Sequence, residues 1–158
     1  MRNNLLKISL AAICATVLSA SAALAGDNWL GNWKMNVATS KFTPGPAPKS
    51  QSLKFEQTKD GIQLTTDGIG ADGSVQHGSY VSKFDGKDVV WTGNPDADMA
   101  SPKKIDDNSY ENTWKKGGKA TIMAKVVVSK DGKTLTVTNT GTNAKGQAVS
   151  NVVVYDKQ

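Results

Sequence analysis

From Trp29 onward, apolar and polar residues alternate with a period of two. Trp29, Gly31, Trp33, Met35 and Val37 fall on one side of the first such run, with Asn32, Lys34 and Asn36 on the other. Successive side chains of a β-strand point to opposite faces, so the run describes a strand with one dry face. The scheme repeats in Leu53 and Phe55 against Lys54 and Glu56, in Ile62 and Leu64 against Gln63 and Thr65, and in Leu135 and Val137 against Thr134, Thr136 and Thr138. No stretch keeps the three-to-four spacing of an amphipathic helix for more than a turn, and the predicted class is all-β.

Turn pairs punctuate these runs at short intervals: Asp60-Gly61, Asp67-Gly68, Asp72-Gly73, Asp85-Gly86, Gly117-Gly118 and Asp131-Gly132. They predict about ten strands, near 28–37, 51–58, 61–69, 74–84, 88–92, 102–106, 109–116, 119–128, 133–140 and 149–156. Tight reversals of this chemistry join sequential antiparallel neighbours. A sheet that long leaves two bare edges, and rolling it shut removes both while enclosing one apolar interior. The predicted architecture is an antiparallel up-and-down β-barrel of about ten strands, with a two-layer sandwich as the alternative. Three connections are long: Ala38 to Ser50, Gly93 to Ser101 and Gly141 to Ala148. The first carries Pro44, Pro46 and Pro48 at alternate positions, a spacing that favours an extended path and forbids a helix. It reads as a rigid strap across one end of the barrel, with a lid as the alternative.

The residues before the alternation are of another kind. Arg2 and Lys7 lead into a run from Ile8 to Ala20 that is almost all apolar or small, and Ala23-Leu24-Ala25 has the A-x-A form of an export cleavage site. The chain is read as a cleaved signal peptide, residues 1–25, followed by one domain, residues 26–158, that is periplasmic or secreted. The apolar run falls short of the about 20 residues of a membrane span, and no second run follows, so no membrane span is expected. Cys14 is the only cysteine. A lipid anchor there would want a leucine-like residue three positions earlier and a small one just before, where Ala11 and Ile13 stand. Loss of 25 of the 158 residues leaves 133, enough for one core and without a thiol for a disulfide, a nucleophile or a metal.

Processing also lowers the formal net charge from +5 to +3, with 17 lysines against 14 acidic residues and no arginine. Nucleic-acid readers rely on arginine for bidentate contacts, so no nucleic-acid partner is expected. His77 is the only histidine and lies mid-strand on a face with Val75, Ser79 and Val81. It reads as a satisfied or surface side chain; axial ligation of haem is its alternative use, and a two-histidine metal site is excluded. Asn94, Asp96 and Asp98 alternate like the opening of a calcium loop, but Met99, Ala100, Ser101 and Pro102 follow where glycine and a closing acid belong. They read as an acidic solvated turn, and Asp106-Asp107-Asn108 as a hairpin turn. No cofactor and no metal is expected.

Trp29-Leu30-Gly31-Asn32-Trp33-Lys34-Met35 resembles the G-x-W opening of the calycin group, which comprises the lipocalins and the intracellular fatty-acid-binding proteins. Asn151-Val152-Val153-Val154-Tyr155-Asp156-Lys157 is similar to the closing strand of the fatty-acid-binding branch. The resemblance implies a lipocalin-like barrel with a hydrophobic cavity. Two departures bear on chemistry. Val153 stands where that branch places the arginine that meets a ligand carboxylate, and the prolines exclude its helical lid. Lipocalins proper also pack an arginine over the G-x-W tryptophan, and the processed chain has none.

Large aromatics on barrel strands either fill a core or wall a cavity with one polar atom each. The expected function is binding of a small apolar or aromatic molecule by a monomeric barrel, with Trp33, Tyr80, Trp91, Trp114 and Tyr155 as cavity residues and Lys83 and Lys125 as polar partners. The alternatives are a protein-interaction or inhibitor module with a filled core and, third, a cofactor-free barrel enzyme. A lone histidine and the absence of a thiol give an enzyme little to work with, and none is expected.

Overall fold

The computed structural model of the chain describes residues 27–158. The expected signal peptide with Cys14, and the cleavage point expected before Gly26, lie outside the described residues. Ten strands follow one another: β1 (Gly31–Met35), β2 (Ser50–Thr58), β3 (Gly61–Ile69), β4 (Val75–Ser82), β5 (Val89–Val90), β6 (Met99–Asp106), β7 (Ser109–Lys116), β8 (Lys119–Val128), β9 (Thr134–Thr142) and β10 (Ala148–Lys157). All pairings are antiparallel in the order β4-β3-β2-β1-β10-β9-β8-β7-β6-β5. The first strand thus lies against the last, with Met35 opposite Tyr155.

The two outer strands of that order, β4 and β5, meet across a narrow seam. Ser79 and Thr92 form an isolated bridge there, each backbone N–H donating to the other's carbonyl at 3.0 Å. The seam needs close backbone approach, and two glycines allow it. A Cβ on Gly93, whose φ is +76°, would lie 1.9 Å from the His77 carbonyl oxygen, and one on Gly78 would lie 2.8 Å from that of Thr92. The all-β meander is therefore a nearly closed barrel, and the sandwich alternative falls away because sequence neighbours are neighbours in space throughout.

Differences from the sequence expectation are local. Strand β1 is shorter than 28–37 because Asp27 to Leu30 form a turn, Leu30 N donating to Asp27 O. Trp29 is nonetheless fully buried, as a plug and not as a strand residue. Strand β6 begins at Met99, ahead of the start expected at 102, so Pro102 lies inside it and not at its first position. The Pro102 carbonyl accepts from Gly86 N, so its missing N–H falls on the side of two-residue β5, where no ladder requires a donor.

One end of the barrel is sealed by aromatic rings. Trp29 stacks on Phe84 with centroids 5.7 Å apart, and Tyr110 meets both edge-on at 5.2 and 4.9 Å. Phe84 occupies φ +55°, a conformation that costs a non-glycine residue about 1 kcal/mol or more, and Ser82 Oγ accepts its N–H at 3.0 Å. The opposite end carries the strap. Residues 41–43 continue along β10, with Lys41 bridging Val152 and Thr43 N donating to Asn151 Oδ1 at 2.8 Å, before the prolines turn the chain over the mouth to β2.

Candidate functional site

The interior of the barrel is not filled. A cavity of about 370 Å³ extends from the strap toward the aromatic seal. Its wall can be read in rungs, because residues paired across β7, β8, β9 and β10 share one height and alternate rungs face inward. A deep rung of the cavity is Tyr110, Val126, Val137 and Val153, all buried and apolar but for one hydroxyl. The next inward rung toward the mouth is Asn112, Ala124, Asn139 and Asn151. Above it lie Trp114, Ile122, Gly141 and Val149. Three amides thus form a polar belt between two apolar ones, and the small Ala124 keeps the space between Asn112 and Asn139 open.

The belt is partly engaged. Asn112 is 3% exposed; its Oδ1 accepts from Ser101 N at 3.1 Å and its Nδ2 lies 3.5 Å from the Tyr80 hydroxyl. Asn151 Oδ1 holds the strap. Asn139 is 8% exposed, and its Oδ1 has no partner among the described residues. The same is true of the indole Nε1 atoms of Trp91 and Trp114, whose rings meet edge-on at 4.9 Å on the cavity wall. Across the barrel, the Tyr155 hydroxyl donates to Gln51 Oε1 at 2.5 Å. Burial disfavours ionisation and pushes the hydroxyls of Tyr80, Tyr110 and Tyr155 well above the ordinary tyrosine range.

Of the expected cavity residues, Trp91, Trp114 and Tyr155 line the space. Tyr80 stands behind Trp91, edge-on at 5.2 Å, and is not part of the lining. Trp33 belongs to the sealed end: it is fully buried, and its Nε1 donates to Trp29 O at 2.7 Å. Lys83, just past the end of β4, and Lys125, outward on β8, are exposed, and neither lines the cavity. The cavity lining contains no lysine or arginine at all. Sequence reasoning missed the amide belt, although its signal was present: Asn112 has the parity of Tyr110 and Trp114, and Asn139 that of Val137.

His77 faces outward at the rim, with Nδ1 2.6 Å from Asp67 Oδ1 and a side chain 65% exposed. That is not the apolar enclosure haem ligation requires. The loop expected as a solvated acidic turn is instead a tie between hairpins. Asp96 Oδ1 accepts Ala144 N at 3.0 Å from the β9–β10 turn, and Asp98 Oδ2 accepts Gly117 N at 2.9 Å from the β7–β8 turn. Among the described residues no group of three histidine, cysteine or acidic side chains could hold a metal ion.

The barrel is calycin-like in fold. The crystal structure of zebrafish ileal bile acid-binding protein complexed with cholic acid superposes with a TM-score of 0.50 at 12% sequence identity, covering 83% of this chain and 99% of that one. No protein-family model matches the chain, and no curated protein does. The likeness is one of fold. At the sealed end, Lys157 Nζ lies 4.9 Å from the Trp33 ring centroid.

Proposed function

We propose that this protein is an exported barrel that binds a small, largely apolar molecule in its interior without transforming it. The observation that carries the reading is the cavity of about 370 Å³ walled by Trp91, Trp114, Tyr110 and Tyr155. It falls within the about 300–1,000 Å³ range of small-molecule sites and has their mix of apolar walls and a few convergent polar groups. The zebrafish structure, a bile acid-binding protein on the same fold, supports binding as the use of such an interior. Export rests on the amino-terminal residues, Arg2 and Lys7 before an apolar run and the Ala23-Leu24-Ala25 site. Tryptophan emission of the processed protein, titrated with neutral aromatic probes, tests binding, because Trp91 and Trp114 stand in the wall. A saturable change is expected; indifference to every probe would retire the reading. Intact mass of the protein recovered from the cell envelope or medium tests processing before Gly26.

A further inference from the structure

We infer that the ligand is uncharged and carries a hydrogen-bonding group, such as a carbonyl or hydroxyl, near the middle of an otherwise apolar ring skeleton. This rests on the binding reading above and specifies the chemistry of that site. The first observation is the charge of the wall. No lysine or arginine lines the cavity, and Val153 presents an isopropyl group deep in its wall. The two carboxylates of the lining, Asp67 and Asp96, stand at the rim and are engaged by His77 Nδ1 and Ala144 N. An anion in the interior would leave water without meeting a counter-charge, and a cation would meet only carboxylates already in use. Burying either is unfavourable unless it is paired.

The second observation is where the polar atoms lie. Asn112, Asn139 and Asn151 occupy one rung between the apolar rungs of Tyr110 and Trp114. An amide both donates and accepts, so the belt suits a neutral polar group of either kind. Asn139, more than nine-tenths buried, has an Oδ1 without a protein partner. A polar atom left so is unfavourable in an apolar site, and a turn of the amide about its last side-chain bond would bring it to a ligand group at that height. Apolar rungs above and below then favour a skeleton that extends on both sides of its polar group.

The test uses four probes on one naphthalene skeleton with the processed protein at pH 7.5: 2-acetylnaphthalene, 2-ethylnaphthalene, 2-naphthoate and 2-naphthylmethylammonium, each followed by tryptophan quenching. The acetyl compound is expected to bind tightest, with the two ions weaker by roughly tenfold or more and the ethyl compound weaker several-fold. Asn139→Leu, which removes no hydrogen bond to Oδ1, is expected to erase the advantage of acetyl over ethyl while leaving the ethyl compound bound. Tighter binding of either ion than of the acetyl compound would overturn the inference and leave the binding reading standing. An acetyl advantage that survives in Asn139→Leu would overturn the role of the belt. Failure of all four to bind would overturn both readings.

Discussion

Lys157 on β10 is the cross-strand partner of Trp33 on β1, and its ammonium sits 4.9 Å from the centre of the indole that β1 buries at the sealed end. The charge stays in water while the lysine stem covers the ring, so one residue both caps and screens the seal. Lys157→Ala is expected to lower stability by about 0.5–1 kcal/mol. Trp33→Ala, which opens a hole and abandons the bond to Trp29 O, is expected to lose about 3–5 kcal/mol. Urea unfolding midpoints of the two variants check the ratio.

All three tyrosines of the chain are buried, and burial raises each hydroxyl above its ordinary value. The folded state therefore keeps protons that the unfolded chain releases at about pH 10. Their contribution to stability is fully present below that pH and drains away as pH climbs from there toward the folded values. Absorbance of tyrosinate in an alkaline titration should stay flat through the normal range and then rise together with loss of near-ultraviolet circular dichroism. A smooth rise near pH 10 in folded protein would refute it.

Gly93 is required by both conformation and space at the seam. Gly93→Ala puts a methyl group into the His77 carbonyl at a φ that L-residues rarely adopt, and is expected to cost about 3 kcal/mol or more. Gly117→Ala offers the control, since its φ is also positive but nothing lies within 4 Å of the added carbon. Its smaller loss, about 1 kcal/mol, isolates the clash from the strain.

Asp96 holds the β9–β10 turn through Ala144 N. Asp96→Ala is expected to raise hydrogen exchange at Ala144 by about tenfold while global stability changes by about 1 kcal/mol. Asp96→Asn, which retains an acceptor, should restore most of the protection. Exchange that is the same in all three proteins would show that the turn holds itself.

Much of the fold was legible because one physical rule, burial of alternate residues, governs nearly every strand. Leu53 and Phe55, Ile62 and Leu64, and Leu135 and Val137 all turn inward as their alternation requires. The rule failed where tertiary packing replaced the ladder. Trp29 has the parity of Trp33 but sits in a turn, and β6 starts at Met99, before the expected 102, because β5 is too short to need the Pro102 N–H. The cavity was legible only in part. Aromatic residues drew attention by type, yet Trp33 and Trp91 differ in height along the barrel, which composition does not encode. Asn112 and Asn139 share inward parity with their apolar neighbours, but their type does not say whether an inward amide faces a filled core or an open cavity. Lys83 and Lys125 were proposed for their charge, although their parity already placed them outside.

The meander is one strip rolled until its sides touch, and along the line of contact between β4 and β5 the wall is held at the Ser79–Thr92 bridge and not by a full ladder. Thermal breathing of the cylinder should begin along that slit, where the fewest bonds must break. Trp91 immediately precedes Thr92, so its indole would be among the first to feel water when the slit parts. The protein thereby contains its own gauge, an emission that reads whether the wall is shut.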